Sequence, residues 1–222
     1  MSLQRVPEPE LMDQADQARA YSEADFSESH DRFVTHIGAR FGPLLGEVLD
    51  LGCGPADPTV RLAMANPAVT IVGVDAGPRM LALAKERVER TGLADRIRLE
   101  QRRLPDPALP WHGFDAVVSN SLLHHLVDPM DLWRTVGRCV RPGGVVAVMD
   151  LLRPLEVAGV DQLVADLGES PPVLRADFRN SLLAAYRLDE VAAQLAAGGL
   201  DDLAVEQISD HHLFVGGHLG RS

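Results

Sequence analysis

Apolar positions recur along this chain in two rhythms. Glu47 to Leu51 (EVLDL), Val69 to Val74 (VTIVGV), Ile97 to Glu100, Asp115 to Ser119 (DAVVS) and Gly144 to Asp150 (GVVAVMD) are short runs dense in β-branched and leucine residues, and they predict five strands. Between them the spacing lengthens to that of a helix. GPRMLALAKERVERTG sets Met80, Leu81, Ala84 and Val88 on one face and stops at Gly92. Pro55 to Met64 begins a helix with proline in its first turn, and MDLWRTVGRCV forms another. Strands too uniformly apolar to be half exposed, alternating with amphipathic helices, predict a parallel sheet covered on both faces.

The rhythm changes at both ends. Residues 1–12 are rich in Pro and Glu and are expected to be loosely ordered. Residues 13–41 place Phe33, Ile37 and Phe41 at helical spacing after Tyr21 and Phe26, which predicts two short helices forming a lid. Beyond Asp150, Pro154, Pro171 and Pro172 interrupt helical stretches, so residues 152–180 read as an inserted cap. SLLAAYRLDEVAAQLAAGG predicts one helix ending at Gly198 and Gly199. LAVEQIS and HHLFVGG are too close for a crossover helix and predict an antiparallel hairpin at the sheet edge. The organisation expected is a tail and helical lid over 1–41, then one α/β domain over 42–222 that carries the cap.

Composition narrows the partners. The 222 residues carry 21 Lys and Arg against 32 Asp and Glu, a net charge of −11, and Lys85 is the only lysine. An acidic chain without a basic block is poorly suited to nucleic acid or an anionic membrane, so the expected partner is a small molecule. A homodimer is compatible with these properties. Cys53 and Cys139 suggest neither a disulfide framework nor a zinc site. MSLQRVPEPELMDQADQ has no apolar leader core and no stretch has 18 unbroken apolar residues, so a soluble cytoplasmic protein is expected.

The first strand runs into a glycine turn, VLDLGCGP, and the second ends in Asp75. In an open α/β sheet this is the usual ligand position, and a carboxylate ending the second strand can accept hydrogen bonds from both hydroxyls of a ribose. A dinucleotide fits less well. Its fingerprint needs a third glycine, where Asp57 stands here. Asp50 would also face the pyrophosphate, and like charges ~4 Å apart repel by several kcal/mol at an effective dielectric near 20. The same carboxylate attracts an ammonium group. No Gly-Lys-Ser/Thr follows, which excludes a P-loop.

An ammonium-bearing nucleoside without phosphates is S-adenosylmethionine (SAM), and the chain resembles the class I SAM-dependent methyltransferases of the small-molecule type. EVLDLGCGPA is similar to their first motif, VGVDAGPRML to the ribose-binding motif, FDAVVSNSLLHHL to the strand-four motif and VRPGGVVAVMD to the strand-five motif. The resemblance covers residues 46–150 and is one of layout only over 182–216. It implies a Rossmann-like, seven-stranded, mostly parallel sheet and methyl transfer to a small acceptor. It also implies that Asp50, Gly52 and Gly54 surround the methionine portion, that Asp75 holds the ribose and that Met80 lies near the adenine. Cys53, Ala76 and Asn120, within the same motifs, join the cofactor residues. Where the family often has an aspartate after strand three, this chain has Gln101, Arg102, Arg103 and Leu104, which leaves adenine to the backbone around Leu104.

Methyl transfer needs alignment, and a base only where the acceptor carries a proton that must leave. Some related enzymes place a histidine after strand four and close a tyrosine-bearing helix over the methyl group. His125 and Tyr21 match those positions, with His124 beside them; capping and lid packing are the structural alternatives. Arg175, Asp177, Phe178, Arg179, Asn180 and Tyr186 either line an acceptor pocket, where arginine would suit a carboxylate or phosphate, or form a solvated face. No metal is expected: His124 and His125 are adjacent, alternation sends His211 and His212 to opposite faces, and Asn120 with Asp150 lacks a third carboxylate. The signatures of DNA amino-methylases, protein arginine methyltransferases and base C5-methylases are missing, and Cys139 lies mid-helix. A SAM-binding sensor without transferase activity is the alternative function.

Overall fold

The computed structural model describes residues 3–8, 19–22 and 24–220. Seven strands form one sheet: β1 Gly46–Leu51, β2 Val69–Asp75, β3 Ile97–Gln101, β4 Phe114–Asn120, β5 Val140–Leu151, β6 Ala204–Gln207 and β7 His212–His218. Their order is β3-β2-β1-β4-β5-β7-β6. The first five pair in parallel, and β7 inserts antiparallel between β5 and β6. The chain turns first to β2 on one side of β1 and later to β4 on the other, so a crevice opens beyond the carboxyl ends of β1 and β4. This is the Rossmann-like arrangement expected from the sequence.

Alternation along β1 splits the core in two. Leu49 and Leu51 face a cluster with Val117, Trp133, Val136 and Leu195, under helices α4 (Met130–Cys139) and α7 (Leu188–Ala197). Val48 faces the other cluster, with Ile71, Ala63, Ala84, Phe33 and Ile37 from α1 (Ser27–Phe41), α2 (Asp57–Ala65) and α3 (Pro78–Arg90). Burial of strands on both faces removes apolar surface at ~25 cal/mol per Å², the main stabilising contribution here. Cys53 and Cys139 are both free and buried.

Three expectations need correction. Residues 3–8 of the supposedly loose tail form a strap: Leu3 N donates to Leu155 O at 3.0 Å and Val6 N to Leu183 O at 3.0 Å, while Arg153 reaches back to Leu3 O at 3.1 Å. Nothing in local sequence signals these bonds, because their partners lie some 150 to 180 residues away. The helix expected over 181–199 is two, α6 (Pro172–Ala184) and α7, separated by extended backbone in which Tyr186 bridges Leu152. Arg187 N donates to Glu190 Oε2 at 2.8 Å, a capping box that starts α7 afresh. Strand five begins earlier than expected: Val140 pairs with Phe114, the RPGG segment bulges out, and pairing resumes at Val145. In the lid, residues 19–22 are helical and α1 follows; residues 9–18, where the first helix was expected to begin, lie outside the described residues. The cap holds α5 (Val157–Asp166) and α6, which pack on Leu151 and the strap's Leu3.

Candidate active site

The turn after β1 is built by its glycines. Gly52 has φ +72°, and a Cβ there would lie 2.8 Å from Leu122 Cδ1. Gly54, at φ +52°, has no atom within 4 Å of where its Cβ would be, and its N–H donates to Asp75 Oδ2 at 2.9 Å. Asp75 also accepts from Gly77 N at 2.7 Å, which fixes the carboxylate at the end of β2. Asp50 points to the α2 side, where Thr59 Oγ1 donates to it at 2.6 Å. Burial pushes the Asp50 carboxyl up to about 6; the Thr59 bond works downward and the Asp75 charge upward.

All nine residues expected to hold the cofactor line one cleft: Asp50, Gly52, Cys53, Gly54, Asp75, Ala76, Met80, Leu104 and Asn120. Asn120 Oδ1 is buried without a hydrogen-bond partner among the described residues. An orphaned amide oxygen beside a buried carboxylate suits a ligand that brings N–H donors and positive charge, and the ammonium of SAM is such a group. Gly54, with open space where a Cβ would be, leaves room for a ligand at that side of the turn. Burial raises the Cys53 thiol far above its ordinary value, so it is a neutral packing group.

A second cavity, of about 160 Å³, opens beside the cleft and is lined by Phe26, Leu151, Leu174, Phe178, Asp177 and the histidines at 30, 124, 125, 211 and 212, among others. Tyr21, His30, Ser121 and His125 belong to both walls. These four residues mark the junction. Tyr21 stacks near Phe26, ring centroids 4.8 Å apart, and burial pushes its phenol up to about 12, with the Asp150, Asp75 and Asp57 charges adding to it. Tyr21 is therefore a hydrogen-bond donor and no base. Of the six cap residues considered above, Asp177 and Phe178 line the cavity. Arg179 pairs instead with Asp161, and Tyr186 lies under Arg5, 4.2 Å from the ring centroid. His211 and His212 both face the cavity with rings 4.3 Å apart, because the strand starts only at His212 and alternation does not reach His211.

His124 and His125 sit in a 3₁₀ turn, Leu123–His125, rather than at the start of an α-helix. Two carboxylates that the sequence reading did not pair with these histidines meet them. His124 Nδ1 lies 2.6 Å from Asp150 Oδ1, and Asp150 Oδ2 accepts from Leu123 N at 2.7 Å, so the end of β5 orients the turn. Glu8 arrives on the strap, with Oε1 3.1 Å from His125 Nδ1 and 3.5 Å from His124 Nε2. Ser181 Oγ anchors Glu8 at 3.0 Å. Burial works against charge on His124, yet Asp150 and Glu8 together hold it above its ordinary value. The aspartate at the end of strand five was the one available signal for the first pair; nothing in sequence pairs residue 8 with residue 124.

Residues 49–146 match the family model described as a methyltransferase domain. The chain is 29% identical over 184 residues to 27-O-demethylrifamycin SV methyltransferase of Amycolatopsis mediterranei, covering 82% of this chain and 62% of that protein. It is 29% identical over 196 residues to erythromycin 3''-O-methyltransferase of Saccharopolyspora erythraea, covering 85% of this chain and 61% of that one. The chain thus spans less than two thirds of the length of these relatives. In fold it resembles a SAM-dependent methyltransferase from Aquifex aeolicus, with TM-score 0.66 and 18% identity over 91% of this chain and 97% of that one.

Proposed function

Because this chain belongs to the class I SAM-dependent methyltransferases and takes SAM as its cofactor, we propose that it methylates a hydroxyl of an uncharged, largely apolar small molecule. The observation that carries this reading is the junction at Tyr21, Ser121 and His125, where the cofactor cleft opens into a cavity of suitable lining. Among the described residues no arginine or lysine lines that cavity, which argues against a carboxylate or phosphate acceptor. The two antibiotic O-methyltransferases it resembles have O-methylation in their names, and a hydroxyl acceptor agrees with them.

When bound, SAM supplies a methyl group made electrophilic by its sulfonium. The chain's own residues align, shield and deprotonate. Asp50 and Asn120 Oδ1 would hold the ammonium, Asp75 the ribose hydroxyls, and Met80 and Leu104 would lie at the adenine. Tyr21 donates a hydrogen bond at the junction and, with Phe26, closes it against water. His125, in reach of both cavities, is placed to take the proton of an acceptor hydroxyl, and the Asp150–His124 pair fixes the turn that aims it. Residues 1–41 act as tail and lid, 42–222 as the catalytic domain and 152–180 as the cap, in a cytoplasmic protein that works alone or as a homodimer. Among the described residues no helix is long and apolar enough to cross a membrane, and both cysteines suit a reducing compartment.

The cofactor assignment is checked by calorimetry on Asp75→Ala, which should lose most SAM binding; unchanged affinity refutes the ribose role. The activity is checked by incubating the protein with labelled SAM and a panel of hydroxylated apolar metabolites. Label should move to an oxygen of one of them. Intact SAM binding with no transfer to any metabolite or protein would favour the sensor.

A further inference from the structure

We propose that Glu8, His124 and His125 form a binding site for one divalent transition-metal ion of the zinc type, open towards the acceptor cavity. The three ligand atoms, Glu8 Oε1, His124 Nε2 and His125 Nδ1, lie within 4.8 Å of one another, the one such cluster among the described residues. A tetrahedral ion with bonds of about 2.0–2.2 Å separates its ligand atoms by about 3.3–3.6 Å. Of the observed separations from Glu8 Oε1, the 3.5 Å to His124 falls within that edge, and the 3.1 Å to His125 is a few tenths of an ångström shorter.

The hydrogen-bond pattern points the same way. Asp150 Oδ1 lies 2.6 Å from His124 Nδ1, so Nε2 is the ring nitrogen that faces Glu8 Oε1. At 3.5 Å that contact is longer than the ~2.7–2.9 Å of a charge-assisted hydrogen bond. One divalent ion placed among these three atoms would serve both histidines and the carboxylate at once. It would also balance the charge of the two carboxylates, Asp150 and Glu8, that meet these rings. Metal-bound histidines commonly give their other ring N–H to a carboxylate, and Asp150 stands in that position. Ser181 Oγ holds the third ligand at 3.0 Å, and Arg5 ties the strap to the turn by donating to His124 O at 3.0 Å.

Two imidazoles and one carboxylate select zinc, cobalt, nickel or iron over magnesium or calcium, which prefer all-oxygen sites. Because His124 and His125 line the acceptor cavity, the remaining coordination position faces the acceptor. This part of the proposal deepens the reading of that cavity and rests on it: the ion would hold the acceptor oxygen and acidify its hydroxyl, and the histidines would serve as ligands in place of proton acceptors. Ion binding itself is independent of that reading.

The test uses the full chain without an affinity tag, stripped by chelator, and titrated with Zn²⁺ by calorimetry and with Co²⁺ by visible absorption. One ion per chain is expected, with the intense Co²⁺ bands of a four-coordinate site and no comparable uptake of Mg²⁺. Glu8→Ala and His125→Ala should each weaken Zn²⁺ binding at least tenfold, and Asp150→Asn by about 10–100-fold. His211→Ala, which alters the neighbouring histidine pair, should leave uptake unchanged. Absence of stoichiometric uptake, uptake that survives in Glu8→Ala and His125→Ala, or uptake abolished by His211→Ala would overturn the proposal. Should a histidine variant fail to fold, Glu8→Ala decides, since the strap lies outside the sheet and both of its core clusters. SAM binding by the same stripped protein reports on the methyltransferase reading separately, so the two can fail independently.

Discussion

Asp50 shows how one side chain sets ligand chemistry. Its carboxyl is raised to about 6 by burial, so in the absence of ligand it is partly protonated in mildly acidic solution. A cationic ligand favours the ionised form, hence binding releases a proton and affinity must rise with pH until Asp50 is fully charged. At pH 5, one unit below that value, only ~10% is ionised, and SAM affinity by calorimetry should be about tenfold weaker than its plateau above pH 7. Asp50→Asn should flatten this dependence. A wild-type profile flat from pH 5 to 8 would remove Asp50 from the ammonium site. The role of Asp50 was readable in sequence because it depends on neighbours two and four residues away, and Asp75 on a strand end. Glu8 was unreadable because its meaning comes from His124 and His125, brought to it by the fold alone.

Among elements, the informative case is Asp57, the aspartate in place of a third glycine. It joins three helices: His30 Nδ1 of α1 lies 2.6 Å from Oδ2, Arg61 Nε of α2 2.7 Å from the same oxygen, and Arg87 of α3 2.5 Å from Oδ1. Burial alone would raise this carboxyl, but His30, Arg61 and Arg87 hold it far below the ordinary 3.8. A depressed carboxylate adds stability that is fully present above its unfolded-state value and is lost as pH falls through the folded one. Asp57→Asn should therefore cost about 1–2 kcal/mol at neutral pH, after allowance for partial exposure, and lower the melting temperature by roughly 3–6 °C. The difference between variant and wild type should shrink below pH 4. An unchanged melting temperature at pH 7 would mean that the three helices are held by their apolar faces alone. The strand and helix pattern around this clamp was legible, since period and stop signals are local. The break between α6 and α7 was not, because an arginine occupies the capping position usually held by Ser or Thr, and the extended backbone is fixed by pairing with Leu152.

At the scale of the whole molecule, the cofactor cleft touches nearly every structural unit: the lid through Tyr21 and His30, β1 and β2 through their end carboxylates, β4 through Asn120 and the 3₁₀ turn through His125. A ligand seated there binds the folded chain and not the unfolded one, so it must raise global stability by the linkage relation. At a free concentration of ~100 times its dissociation constant the gain is about 2.7 kcal/mol, which for a chain of this size is a melting shift of roughly 5–11 °C. SAM and its demethylated product should both give such a shift at saturation. NAD and ATP offer the same ribose and adenine but bring phosphates to Asp50, and the repulsion that excludes a pyrophosphate from this turn predicts little or no shift at equal concentration. The comparison isolates the carboxylate from the rest of the nucleoside site. In Asp50→Asn the discrimination between SAM and the phosphate-bearing nucleotides should narrow, whereas a wild-type protein stabilised equally by NAD would show that the glycine turn accepts phosphate after all.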